Sequence, residues 1–432
     1  MAYNRKQRLN DNIKAIETAF ILDREQRTPT ARERLLLERY CGFGGLKCIL
    51  NPARELADAV HWAKSDLELF APTVELHRLI RENSKNESEY KQLMDSLKQS
   101  VLTAFYTPSD VTEALTDVLK EHQIIPEKVL EPSAGIGAFV DSVLDNNPKA
   151  DIMAFEKDLL TGKILRHLHP EQKVRIEGFE KIEKPFNDYF DLAISNIPFG
   201  DVAVFDPSYT AMKGMRALVT RRIHNYFFVK ALDTVRDGGL VAFITSQGVL
   251  NAKNNSAARF MMLYHADLVS AIRLPNNLFT ENANTEVGSD LIILQKNSQK
   301  ESLRGDDNLL DTVYNDENRI PTNNYFQEHP ERIIHTTAKL DTDPFGKPAM
   351  IYTHEDGVEG IAEDLRKMLH EDFKKSLNLN RYLGIEETMS EEVKEVEETE
   401  KIEKTEKMKP SIEEKQNDTV VSLQKQEKPT DD

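Results

Sequence analysis

The chain has 432 residues, 39% of them hydrophobic and 30% charged, and its net charge is −17. That length suits one large domain with appendages, and no run approaches the ~20 apolar residues of a membrane span. The acidic balance excludes a global basic field, so a polyanion would have to be met by local basic clusters. Met1-Ala2-Tyr3-Asn4-Arg5-Lys6 contains no apolar signal core, and a cytoplasmic location is expected. The two cysteines, Cys41 and Cys48, have no His or Cys pair to complete a zinc set, so no metal is expected and a reduced compartment is.

Residues 1–100 read as a helical N-terminal region. Ile13, Ile16, Ala19 and Phe20 recur at helical spacing, and Leu35, Leu36 and Leu37 begin a second apolar segment. Cys41-Gly42-Phe43-Gly44-Gly45-Leu46 interrupts this pattern and, on glycine content alone, reads as a helix stop and turn. From 101 to 297 strand and helix signals alternate. The predicted strands are Lys128–Leu130, Asp151–Phe155, Val174–Ile176, Phe190–Ser195, Leu240–Thr245, Leu268–Arg273 and Asp290–Gln295. Helices are predicted at Asp110–Glu121, Gly137–Leu144, Leu159–His167, Ile223–Val235 and Ser256–Tyr264. This βαβ series predicts an α/β fold, a doubly wound sheet of seven strands with helices on both faces. No convincing helix separates the last two strands, which predicts that they pair antiparallel. Residues 298–385 read as a mixed C-terminal extension. Residues 386–432 hold 16 acidic residues and 8 lysines, and they read as a disordered tail. Without the tail the chain is still acidic, at −9.

Val129-Leu130-Glu131-Pro132-Ser133-Ala134-Gly135-Ile136-Gly137-Ala138-Phe139 reads as strand, tight glycine turn and helix start. The two glycines let backbone pass close to a ligand, and the helix beyond offers free N–H groups. A dinucleotide site would place a third glycine where Val140 stands, and no Walker lysine is present. The acid Glu131 before the turn suits a cationic ammonium or sulfonium better than a pyrophosphate. Glu156 ends the next strand, positioned to accept both hydroxyls of a ribose; its 19-residue separation from Gly137 fits that role. Asn196-Ile197-Pro198-Phe199-Gly200 follows a buried strand at its carboxyl end, where open parallel sheets bind ligands. A side-chain amide, a backbone carbonyl and an aromatic ring there can accept both hydrogens of an exocyclic amine and stack on its ring. That suggests chemistry on a nucleobase amino group.

Together with Ala104-Phe105-Tyr106-Thr107-Pro108, these segments resemble the amino-group DNA methyltransferases of the N6-adenine kind, which use S-adenosylmethionine. A closer likeness is to the adenine-methylase domain of large mobile-element proteins that carry a helicase-like motor, which is not seen in this sequence. That likeness runs from about residue 30 to 335. It includes Tyr40–Leu46, Ile223–Phe228, Asp237–Ser246, Ala271–Pro275 with Phe279 and Thr285, Asn324–Phe326 and His329–Glu331. It makes the glycine segment at 42–45 part of a pattern.

The resemblance implies a Rossmann-like methyltransferase sheet over 101–297 and a role for each matching residue. Tyr106 and Thr107 would hold the amino-acid end of the cofactor. Glu131, Pro132, Gly135 and Gly137 would line its methionine portion, and Glu156 would take the ribose hydroxyls. The family's acid after the third strand falls near Glu177-Gly178-Phe179-Glu180, with Glu180 as the substitute for Phe179. Asn196 and the Ile197 carbonyl would accept the amine hydrogens, with Pro198 and Phe199 completing the motif. A duplex base would first have to leave the stack.

Lys213, Arg216, Arg221 and Arg222 lie in an insertion after this motif, and they read either as phosphate contacts or as a solvated helix face. Tyr226 or Phe227 reads either as a further wall of the base pocket or as core. DNA is the implied partner, with a separate specificity or motor protein as a second candidate, and no membrane. Two alternatives keep the fold: methylation of RNA or of a protein glutamine, and a non-catalytic DNA-binding or anti-restriction accessory.

Overall fold

A computed structural model describes residues 4–103, 106–212, 214–280, 286–303, 307–314, 319–343 and 346–385. The expected disordered tail, together with Ala104, Phe105, Lys213 and Thr285, lies outside the described residues. Residues up to Gly384 form one compact unit.

The N-terminal region is helical, as its periodicity predicts. It contains α1 (Arg5–Glu25), α2 (Ala31–Leu37), α3 (Phe70–Glu82) and α4 (Glu87–Thr103). Asn4 caps α1 through its side chain, and Thr30 with Glu33 forms a capping box on α2. Leu9, Ile13, Ile16, Leu76, Ile80, Leu93 and Leu97 are buried together with Leu160, Ile164 and Leu168. Those last three belong to α7 (Leu159–Leu168), so one face of a sheet helix completes the N-terminal core. Asp23 reinforces the joint: it pairs with Lys163, with Arg166 at 3.1 Å and with His167 at 2.8 Å. Burial pushes the Asp23 carboxyl up, but the His167 and Lys163 bonds outweigh it and hold it well below the usual carboxylate range.

All seven predicted strands form: β1 (Lys128–Glu131), β2 (Asp151–Phe155), β3 (Lys173–Arg175), β4 (Phe190–Asn196), β5 (Val235–Ser246), β6 (Ala266–Leu274) and β7 (Ser289–Lys296). Their order is β3-β2-β1-β4-β5-β7-β6. The first five run parallel, and β7 is antiparallel to both β5 and β6. The expected antiparallel pair is therefore present. β5 begins at Val235, earlier than predicted, because the Asp237-Gly238-Gly239 turn signal is absorbed by a register shift opposite Phe190 and Leu192.

Both sheet faces are apolar, as expected of strands covered by helices on each side. On one face Leu192, Ile194, Leu240, Ala242 and Ile244 pack against α5 (Ser109–Glu121) and α6 (Ala138–Asn146). On the other Ala193, Val241 and Phe243 pack with α10 (Ile223–Thr234) and α12 (Ser256–His265). Between β4 and α10 lie two short helices, α8 (Pro207–Thr210) and α9 (Met215–Val219), and α11 (Gly248–Asn251) follows β5. Beyond the sheet come α13 (Asn324–Glu328), α14 (Gly357–Ser376) and α15 (Leu379–Leu383). The residues read as an extension thus supply a core element: Ile361, Leu365, Leu369 and Phe373 of α14 join the first face.

Arg273 on β6 and Asp290 on β7 form a bidentate pair at 2.9 and 3.2 Å with both side chains buried. Asn251 accepts a further bond from Arg273, and Phe326 lies 4.2 Å under its guanidinium. The pair therefore draws together α11, β6, β7 and α13. Removing one partner strands a buried charge, so Asp290→Ala should lower the free energy of urea unfolding by about 3–5 kcal/mol. Arg273→Met combined with Asp290→Leu should recover most of that loss.

Candidate functional site

The parallel neighbours β1 and β4 are not consecutive in sequence, so the chain reverses its winding direction between them. A crevice opens at such a switch point, outside the carboxyl ends of the strands. Glu131 ends β1 there and Asn196 ends β4. The Ser195 hydroxyl donates to the Ser133 carbonyl across the gap at 3.2 Å. The glycine turn and the Asn196 segment are thus in direct contact.

The turn from Pro132 to Gly137 depends on two glycines. Gly135 has φ +56° and Gly137 φ +92°, the left-handed region that other residues enter at a cost. A Cβ on Gly135 would lie 2.8 Å from the Tyr106 ring, and one on Gly137 would lie 2.5 Å from His169 Nε2. Tyr106 therefore lies against the turn. Its hydroxyl is 3.4 Å from Thr161 Oγ1, which is also 3.2 Å from the buried Tyr40 hydroxyl. This explains the Tyr40–Leu46 segment. Tyr40 and Phe43 are buried, Asn12 bonds to both Gly42 O and Cys41 N, and the segment docks the N-terminal region onto α7. Sequence spacing carried no sign of the Tyr40–Thr161–Tyr106 chain, which spans 121 positions.

The acids converge. Glu156 accepts bonds from Gly135 N at 2.8 Å and Asp158 N at 2.7 Å, which clamps the β2 end to the turn after β1. Burial pushes its carboxyl up to about 8, helped by Asp158. Glu131 is buried, and its Oε2 has no hydrogen-bond partner among the described residues. Burial raises it well above the carboxylate range, and the charges of Asp141 and Glu156 raise it further. Thr107 Oγ1 is likewise buried and without a partner. A cationic ligand with hydroxyl groups would satisfy these groups. Pro132 is buried beside Glu131. Phe179 packs into the core, 5.8 Å from Phe155 and 5.3 Å from Phe227. Glu180 is the acid of that segment, 3.8 Å from Lys157 and so beside the Glu156 loop.

At the β4 end the Ile197 side chain is buried in the core, and its N–H donates to Ile244 O at 2.9 Å. An aliphatic residue there fills the core and keeps its carbonyl. Pro198 is partly exposed, and Phe199 packs edge-on against Phe279 at 6.3 Å.

Two cations of the basic insertion are engaged within the fold. Arg216 is held by Asp233 at 2.6 and 3.0 Å, and Arg222 by Asp201 at 2.9 Å and by Asn255. These charges are spent within the fold, while Arg221 is exposed and Lys213 lies outside the described residues. Tyr226 is fully buried and donates its hydroxyl to Asp206 at 2.7 Å. It is a core residue and offers nucleic acid no surface.

A seven-stranded sheet with a reversed β7, a glycine turn after β1 and an acid after β2 defines a Rossmann-like methyltransferase fold. The chain belongs to the N-6 DNA Methylase family, whose model matches residues 88–390. It is 29% identical over 201 residues to Defense against restriction protein B of Escherichia phage P1, covering 45% of this chain and 8% of that protein. It is 25% identical over 173 residues to the type II methyltransferase M.XamI of Xanthomonas campestris pv. amaranthicola, covering 37% of this chain and 33% of that one. The matches thus span well under two thirds of either relative. Similar solved structures include the M protein of the type I restriction enzyme EcoKI, with TM-score 0.39 and 13% identity, covering 91% of this chain and 95% of that one. Another is the type IIG restriction endonuclease BpuSI, with TM-score 0.37 and 17% identity, covering 69% and 38%.

Gly135→Ala should cost about 1–3 kcal/mol from backbone strain alone, with a further penalty from overlap with Tyr106. In a double-mutant cycle read by urea unfolding, Gly135→Ala and Tyr106→Ala should together cost less than their sum.

Proposed function

We propose that this chain methylates the N6 amino group of adenine in DNA, with S-adenosylmethionine as the methyl donor. The observation that carries the reading is the bond from Ser195 to Ser133, which ties the residue before Asn196 to the turn that leads into Gly135 and Gly137 at the β1/β4 crevice. S-adenosylmethionine supplies an electrophilic methyl group on a sulfonium. Glu131 would meet its cationic portion, Tyr106 and Thr107 would hold its amino-acid end, and Glu156 and Glu180 would take its nucleoside. The unpartnered Glu131 and Thr107 oxygens and the glycine cradle support this fit.

The N6 lone pair of adenine is delocalised into the ring. Asn196 Oδ1 and the Ile197 carbonyl accept the two amine hydrogens and localise that pair toward the incoming methyl. Phe199 stacks on the base. As the N–C bond forms and the S–C bond breaks, the sulfonium would leave as a neutral thioether and the methylated amine would lose one proton to water. No strong base is therefore required, and positioning and fixed dipoles supply most of the rate. The phage P1 relative supports a mobile-element origin. DNA is the partner, and a separate specificity or motor protein supplies what the spent charges at Arg216 and Arg222 do not.

Labelled cofactor with DNA, RNA or protein tests the reaction. Wild type should label DNA, and Asn196→Ala should lose about 100-fold or more. Label in RNA or protein without DNA would overturn the reading. The cofactor's ribose hydroxyls donate, so they favour ionised Glu156, whose pKa lies at about 8 without ligand. Cofactor affinity should therefore rise with pH through about 8, and Glu131, whose carboxyl is also raised and meets the cation, should carry the rise further. Calorimetry from pH 6 to 9 checks this, and Glu156→Gln should bind more weakly and flatten the slope.

A further inference from the structure

The loop leaving Asn196–Gly200 is tied down at three points. Arg222 holds Asp201 at 2.9 Å, Val204 N donates to the Thr220 carbonyl at 2.8 Å, and Asp206 is buried under bonds from Tyr226 at 2.7 Å and Lys230 at 3.3 Å. Asp206 also caps α8 through Ser208 N. Phe205 stands between two of these anchors and is 78% exposed, and Val202 is 62% exposed. A loop held this firmly presents a bare aromatic ring by construction, not through slackness. Phe205 lies six residues from Phe199, so the chain keeps the two Cα atoms within about 22 Å. Exposed Arg221 follows Thr220, the residue that anchors Val204.

We propose that the Asp201–Asp206 loop is a wedge that enters duplex DNA beside the target adenine, with Phe205 stacking in the base step that opens when the adenine leaves. This rests on the DNA reading of the Asn196 site. Apolar side chains inserted at a base step unstack it and hold the duplex distorted, and extruding a base carries an unstacking cost that such a ring repays. The ring has no polar group to read sequence, so it serves any site. Exposed Arg221, next in sequence to the Thr220 anchor, is the cation available to meet a phosphate.

The test uses the full chain, labelled S-adenosylmethionine, and DNA lacking adenine methylation, offered as duplex and as heat-denatured single strands. Phe205→Ala should lose roughly 5- to 150-fold in kcat/KM on duplex, the range expected for one lost base stack. It should stay within about 2-fold of wild type on single strands, where no stack needs opening, and Phe205→Trp should retain duplex activity. Calorimetry should show unchanged cofactor affinity. Equal losses on both substrates, or none on duplex, would overturn the wedge while leaving the DNA reading intact. Intact transfer with altered sedimentation of Phe205→Ala would reassign the ring to a protein contact. Wild type that labels neither form of DNA would overturn the DNA reading and the wedge with it.

Discussion

The parallel pairing of β1 with β4 is the constraint on which the rest depends. Val129 lies opposite Leu192 and Leu130 opposite Ala193, although more than 60 residues separate them. This register carries the end of β4 two residues past that of β1, so that Ser195 reaches Ser133 in the turn beyond. A one-residue slip would turn Ala193 and Ile194 to the wrong faces of a sheet buried on both sides. The apolar alternation of β4 and β5 therefore fixes the geometry of the crevice as well as the stability of the core.

The turn after β1 is held from three directions. Glu156 grips it from β2, Tyr106 covers it from the segment before α5, and His169 lies over Gly137 from the end of α7. Burial drives His169 down to about 4, so the ring against the glycine is neutral at physiological pH. Rigidity here comes from packing and backbone bonds more than from paired charge. The acids Glu131 and Glu156 are left in an environment that disfavours their own ionisation. Such a site has electrostatic strain to release when a cation arrives.

The sheet was legible because its strands are short apolar runs between clear breakers, and helices of matching length fill the gaps. The reversed last strand was legible from a missing helix. The glycine turn, Glu156 and the Asn196 motif could be read because each needs a specific residue type at a specific place on the fold. Partnerships between distant residues were not legible. A serine in a strand does not announce that its hydroxyl crosses a crevice, and Arg216 and Arg222 look like free cations until Asp233 and Asp201 are found beside them. An aromatic on a helix such as Tyr226 reads as core more readily than as a pocket wall, but its partner Asp206 was not legible. The α14 helix carries Ile361, Leu365, Leu369 and Phe373 at four-residue intervals, a signal present in the sequence but masked by the irregular stretch before it.

Thr161 sits between two tyrosine hydroxyls, each within hydrogen-bonding range. A hydroxyl has one proton and two lone pairs. The Asp158 carboxylate accepts the Thr161 hydroxyl proton, which leaves the Thr161 oxygen to accept from both tyrosines. A ligand group that captures the Tyr106 proton leaves that oxygen to Tyr40 alone. The crevice and the N-terminal core thus share one acceptor, a link that needs no movement of the backbone.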